Sequence, residues 1–130
     1  PELEIAAEAR SLSEEKLDAQ TKHMVETFKK AAKEFGAEID IKVNRAYGPY
    51  TIEENDEIVL LAKKALANMN ITAKTGSTGG GSDTNVLNKN GIKAVNLGIG
   101  MKKAHTLEEY IAIEDIINSS RAVVEIIKEA

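Results

Sequence analysis

The feature that most constrains this chain is a change of hydrophobic period within residues 2–43. Leu3, Ile5, Ala7 and Ala9 alternate with Glu2, Glu4 and Glu8, the period-two pattern of a strand with one buried face. From Leu17 the period lengthens, and Leu17, Thr21, Met24, Phe28, Ala31, Ala32 and Phe35 line one stripe of an amphipathic helix. Ser11 and Ser13 offer cap oxygens ahead of it, and Glu14 and Glu15 suit the positive end of the helix dipole. Gly36 stands where a left-handed residue closes the last turn. Period two then returns, with Ile39, Ile41 and Val43 set against Glu38, Asp40 and Lys42. A strand–helix–strand order is predicted, and each strand's single apolar face predicts a sheet covered by helices on one side only. The first strand has no lead-in before Pro1, which predicts a chain cut from a longer one.

The stretch Ala46–Tyr50, with Gly48-Pro49, breaks this pattern and marks a boundary. Beyond it, residues 55–69 read as a helix opened by Asn55 or Asp56 and closed at Asn70. Its apolar residues, Ile58 to Leu61, Ala65, Leu66 and Met69, spread round more than one face, which predicts extensive burial. A short strand over Ile71–Thr75 leads into Gly76-Ser77-Thr78-Gly79-Gly80-Gly81-Ser82-Asp83. Ile92–Leu97 is almost continuously apolar, as a central parallel strand would be. Ile113, Ile116, Ile117, Ser120, Val124 and Ile127 stripe a closing helix. The expected class is α/β: an α+β strand–helix–strand piece over 1–47, then an α/β piece over 48–130.

Composition narrows the function. With no cysteine there is no disulfide framework, thiolate nucleophile or Cys-ligated zinc, and two histidines do not complete a catalytic zinc site. A net charge of −4 argues against a non-specific nucleic-acid binder. No apolar run approaches the ~18 residues of a membrane span, and the first residues lack a signal-peptide layout. A soluble, cytoplasmic protein with no nucleic-acid or membrane partner is expected.

Three groups of residues are candidates for chemistry. Gly76 and Gly81 have the spacing of a P-loop, but Ser82-Asp83 stand where lysine and Ser/Thr are needed, so an aspartate would meet a triphosphate. The dinucleotide fingerprint also fails, because neither Gly79-Gly80-Gly81 nor Gly98-Ile99-Gly100 continues with the required glycine. The glycine run is either a tight strand-to-helix connection or a place where open backbone amides meet an anionic or carbonyl-bearing ligand. His23 lies about 120° from the apolar helix stripe and reads as a solvated flank residue. His105 follows an apolar strand, where α/β proteins place their sites. The pairs Glu14-Glu15, Glu53-Glu54 and Glu108-Glu109 precede or open helices, where carboxylates are favoured without any catalytic role.

Thr78-Gly79-Gly80-Gly81-Ser82-Asp83-Thr84-Asn85, followed by Gly91–Gly98 and then Ala104-His105-Thr106, resembles the co-catalytic zinc exopeptidases. That family includes peptidase T, glutamate carboxypeptidase and succinyl-diaminopimelate desuccinylase. The Ala7–Leu12 segment with its helix, and Ile39–Tyr50, are similar to the second half of the family's lid, or dimerisation, domain. The resemblance implies that residues 1–47 are half of that lid and that 48–130 are the C-terminal part of the catalytic domain. His105 would match the last metal ligand. Gly79, Gly80 and Gly81 would border the substrate cleft, and Arg45 would lie near the lid arginine that meets a substrate carboxylate. Arg10 would be structural.

The family's His-x-Asp segment, bridging aspartate, Glu-Glu pair with the general base and further carboxylate have no counterpart here. The lid histidine contributed across the dimer is also absent. The implied parent is a zinc-dependent, homodimeric exopeptidase that hydrolyses short peptides with two zinc ions. The piece itself would contain no catalytic residue, bind zinc only weakly and be inactive. The competing readings are a non-catalytic α/β interaction module and, less compatible with the missing lysine, a nucleotide-binding domain.

Overall fold

The computed structural model describes residues 2–130 and forms four helices: α1 (Glu14–Glu34), α2 (Glu57–Asn68), α3 (Asp83–Lys89) and α4 (Ile113–Glu129). Among the described residues there is no β-strand, and an isolated antiparallel bridge joins Lys102 and Tyr110. The expected α/β class is therefore incorrect: the regular structure is all helical. Neither the strand–helix–strand half-lid nor the later strands form.

The reason is physical. Alternation assigns side chains to faces, but a strand exists only when its N–H and C=O groups bond to a neighbour. The segments at 2–9 and 38–43 form no ladder, and Leu3 remains 82% exposed. Ile92 and Leu97 are also exposed, so the 92–97 run is not a strand buried on both faces.

The chain divides into two compact units, Pro1–Tyr50 with Thr78–Lys89, and Thr51–Ser77 with Asn90–Ala130. In the first, α1 forms for the reasons its sequence suggests. Ser13 caps it, its Oγ accepting from the Lys16 amide at 3.4 Å, and Ser11 Oγ in turn accepts from the Ser13 amide. At the far end Gly36 adopts φ +67°. The Ala37 amide donates to the Ala32 carbonyl (2.8 Å) and the Gly36 amide to that of Lys33 (3.4 Å), the paired bonds of a Schellman motif. Leu17, Thr21, Met24, Phe28 and Ala32 of the expected stripe are half-buried, whereas Ala31 and Phe35 are exposed.

In the second unit, Asp56 caps α2, its Oδ1 accepting from the Ile58 amide (3.2 Å). Asn70 closes α2 at φ +58°, and the Ile71 amide reaches back to the Leu66 carbonyl (2.9 Å). Asparagine tolerates this left-handed position better than most residues, which is why it replaces glycine here. Rather than being enclosed all round, α2 buries one side, with Val59 and Ala65 inside and Leu60 outside.

Helices α2 and α4 pack together. The most buried residue of each is small: Ala65 on α2 is fully buried and Ala122 on α4 nearly so. Glu129 ties the pair at its edge, accepting from Asn68 Nδ2 (2.7 Å) and pairing with Lys64 Nζ (2.5 Å). This contact reverses the expectation for α4. The face turned inward carries Asp115, Ser119, Ala122 and Ile126, while the striped residues Ile113, Ile116, Ile117, Val124 and Ile127 are exposed. An apolar stripe is buried only where a partner of matching shape exists, and α2 meets the face with the small residue instead.

Candidate functional site

Residues 78–83 of the glycine-rich loop lie in the first unit and are held from both ends. Downstream, Ser82 precedes α3 and Asn85 stands three residues on. Asn85 Oδ1 accepts from the Ser82 amide at 3.0 Å, the backward half of a capping box. Asn85 is only 9% exposed, and its Nδ2 donates to the Gly48 carbonyl at 2.8 Å. Thr84 Oγ1 lies 2.6 Å from Ser82 Oγ and 2.9 Å from the Tyr50 hydroxyl. Upstream, Thr78 Oγ1 accepts from the Gly80 amide (3.2 Å).

The glycines have different reasons to be glycine. A Cβ on Gly81 would overlap the end of the Tyr47 ring, so this position is bare because Tyr47 packs on the backbone. A Cβ on Gly79 would meet nothing within 4 Å. Among the described residues, the amides of Gly79 and Gly81 have no hydrogen-bond acceptor, while those of Gly80 and Ser82 are used internally. Gly81 therefore serves a close approach of Tyr47 to the backbone, and the amides of Gly79 and Gly81 are left without a partner among the described residues.

Arg45 belongs to the same unit. Its guanidinium is held by Asp18 and lies 3.6 Å from the Glu14 carboxylate, both on α1. Glu14 Oε1 in turn approaches Gly48, where an added Cβ would lie 2.9 Å from it. The stretch 45–50 thus carries Arg45 at one end and the anchor of the glycine-rich loop at the other.

His105 belongs to the second unit, in a loop closed by the Lys102–Tyr110 bridge, with amide-to-carbonyl distances of 2.9 and 3.2 Å. Lys103 and His105 both adopt left-handed backbone, at φ +51° and +65°. The surrounding side chains hold that conformation. Glu109 Oε2 accepts from the His105 amide (2.7 Å), Thr106 Oγ1 donates to the Lys103 carbonyl (2.8 Å), and Lys103 Nζ pairs with Glu108 (2.5 Å). Glu108 and Glu109 therefore brace this loop and open no helix.

Among the described residues no three His, Cys, Asp or Glu side chains converge to hold a metal ion. Next to the one loop imidazole, the Glu109 carboxylate is spent on the backbone. The residues present do not make a metal site by themselves. No helix among them is long and apolar enough to cross a membrane.

Several carboxylates are tuned by close partners. Lys93 beside Asp56 (2.6 Å), with the Ile58 amide, holds the Asp56 carboxyl below its usual range. Lys64, together with Asn68, does the same for Glu129. Thr75, whose hydroxyl donates to Glu54, and Lys63 hold the Glu54 carboxyl below its usual range. His23 is exposed on α1, as its helical angle predicts.

Sequence reasoning singled out Arg45, Gly79, Gly80, Gly81 and His105 but not Tyr47 or Asn85. The Ser82-x-x-Asn85 spacing was a local signal for a helix cap. Nothing local signals the bond from Asn85 to Gly48, 37 residues earlier.

Comparison with known proteins covers almost the whole chain. Residues 4–129 match the peptidase family M20/M25/M40. An uncharacterized protein of Bacillus subtilis, YqjE, is 38% identical over 129 residues, spanning 99% of this chain and 35% of that protein. Peptidase T of a Geobacillus species is 30% identical over 122 residues, or 92% of this chain and 30% of the enzyme. Among solved structures, a tripeptidase from Staphylococcus aureus superposes with a TM-score of 0.79 at 35% identity, covering 91% of this chain and 32% of that one. The aminopeptidase PepT of Bacillus cereus gives 0.72 at 39% identity, covering 92% and 32%. The chain spans about a third of the length of these relatives.

Proposed function

The chain belongs to the peptidase family M20/M25/M40, and we propose that it is part of a peptidase-T-like metallopeptidase that hydrolyses short peptides. The observation that carries this reading is the likeness to the S. aureus tripeptidase, which extends over nine-tenths of the chain with a TM-score of 0.79. In this reading, His105 would help hold a zinc ion through its imidazole, and the remaining ligands and the general base would come from parts of the protein outside these residues. The left-handed backbone at His105, with its amide held by Glu109, supports a fixed backbone at the root of this side chain.

The chain's own contribution is binding. The open amides of Gly79 and Gly81 can donate to a substrate carbonyl or carboxylate, with Gly80 shaping the turn between them. Arg45 supplies positive charge for a carboxylate, and Asp18 and Glu14 hold its side chain until one arrives. Because one imidazole does not make a metal site, no hydrolytic step is assigned to these residues, and the 130-residue chain alone is inactive and binds zinc weakly. The lid assignment of residues 1–47, a cytoplasmic location and a homodimeric state complete the proposal.

The test is hydrolysis of unmodified tripeptides by the full-length gene product, followed by amine release, with and without a chelator. Turnover that the chelator abolishes is expected. No turnover of any di- or tripeptide by metal-loaded protein would instead favour a non-catalytic interaction module.

A further inference from the structure

We propose that residues 47–50 form a positioning strap for the glycine-rich loop, with Asn85 as the residue that fastens it. The inference rests on the peptide-binding role given to that loop above. Three contacts join the two segments: Asn85 Nδ2 to the Gly48 carbonyl, the Tyr50 hydroxyl to Thr84 Oγ1, and the Tyr47 ring against Gly81. They grip the loop at successive places, one on its third glycine and two on the first turn of α3.

Asn85 is the only buried polar residue among those described, and it uses both ends of its amide. Its oxygen fixes the Ser82 amide, directly after the glycines, and its nitrogen fixes the strap. A carboxylate in its place would accept from Ser82 but repel the Gly48 carbonyl. An amide side chain is thus the chemistry that satisfies both partners. The consequence falls on the two free donors. Glycines 79 and 81 have little conformational restraint of their own, so the direction of their amides is set by what holds the loop on either side. Tyr47 sits directly on Gly81, and Asn85 pins the next residue. The strap therefore sets how the amides present themselves to an incoming carbonyl or carboxylate. Asn85 acts through the loop and is a positioning residue, not a catalytic one.

Two readouts on the full-length protein test this. In Asn85→Ala the amide resonances of Gly79 and Gly81 should move and the Ser82 amide should lose protection from exchange. KM for a tripeptide should rise about tenfold, as expected when one hydrogen bond to a charged or polarised group is misplaced, with kcat changing less than about threefold. Asn85→Asp should not restore KM. Tyr50→Phe, a milder cut in the strap, should raise KM in the same direction by a smaller factor. Asn88→Ala removes a bond of the same short helix, from Nδ2 to the Thr84 carbonyl at 2.8 Å, and should leave KM and the glycine resonances in place.

Unchanged glycine resonances in Asn85→Ala, or equal shifts in Asn88→Ala, would overturn the strap. If the wild-type protein hydrolyses no peptide, the peptidase reading fails, and the resonances still decide the strap.

Discussion

Replacing Gly81 by alanine isolates the closest approach in the candidate site. The backbone at Gly81 is not in the left-handed region, so alanine is allowed there conformationally. On an open surface that change would stabilise by about 0.4–1 kcal/mol, because it restricts the unfolded chain. Here the new methyl would overlap the Tyr47 ring, and overfilling a packed contact costs roughly 1–3 kcal/mol. The overlapping atoms are at the far end of the tyrosine, which can swing aside, so the lower part of that range applies. The net expectation is a loss of about 1 kcal/mol, or a drop of roughly 3–6 °C in melting temperature for a chain of this size.

The decisive comparison is a double-mutant cycle with Tyr47→Ala, read by urea denaturation. With the ring gone, Gly81→Ala should change sign and stabilise by about 0.5 kcal/mol, giving a coupling near 1.5 kcal/mol. If Gly81→Ala has the same effect in both backgrounds, Tyr47 does not explain the bare position.

Other consequences follow from the packing and the charges. Ala65→Leu, at a fully buried position of α2, should destabilise by about 1–3 kcal/mol in denaturant melts, whereas Leu60→Ala, which is exposed on the same helix, should cost much less. Asp56 has its pKa lowered on folding, so its stabilising effect is complete above the ordinary aspartate range and is lost as pH falls through the lower folded value. Melting between pH 6 and pH 2 should therefore show a smaller acid-induced loss in Asp56→Asn than in the wild type. The isolated 130-residue chain leaves Ile113, Ile117 and Ile127 exposed and should self-associate in sedimentation experiments, with Ile117→Asp weakening that association.

How much of this was legible in the sequence depends on how local each cause is. The bounds of α1 and α2 were readable because their signals lie within a few residues of the ends: Ser13 and Gly36 for one, Asp56 and Asn70 for the other. The glycine run and His105 were visible as candidates because glycine and histidine have distinctive chemistry wherever they stand. Strands were over-read, because period-two alternation at Leu3–Ala9 and Ile39–Val43 says which way side chains would point and nothing about a neighbour to bond. The inward face of α4 was misassigned for a related reason: the apolar stripe is a property of one helix, but which face is covered depends on α2. The Asn85–Gly48 bond was out of reach, since it joins segments 37 residues apart through an unremarkable asparagine.

His105 is proposed to supply one ligand to a metal centre completed outside these residues. The most direct measurement is the metal content of the purified full-length protein, wild type against His105→Ala, by elemental mass spectrometry alongside a fold check by circular dichroism. About two zinc ions per chain are expected in the wild type. The folded variant should lose roughly one of them, together with tripeptide hydrolysis. Full zinc occupancy and full activity in His105→Ala would contradict that role.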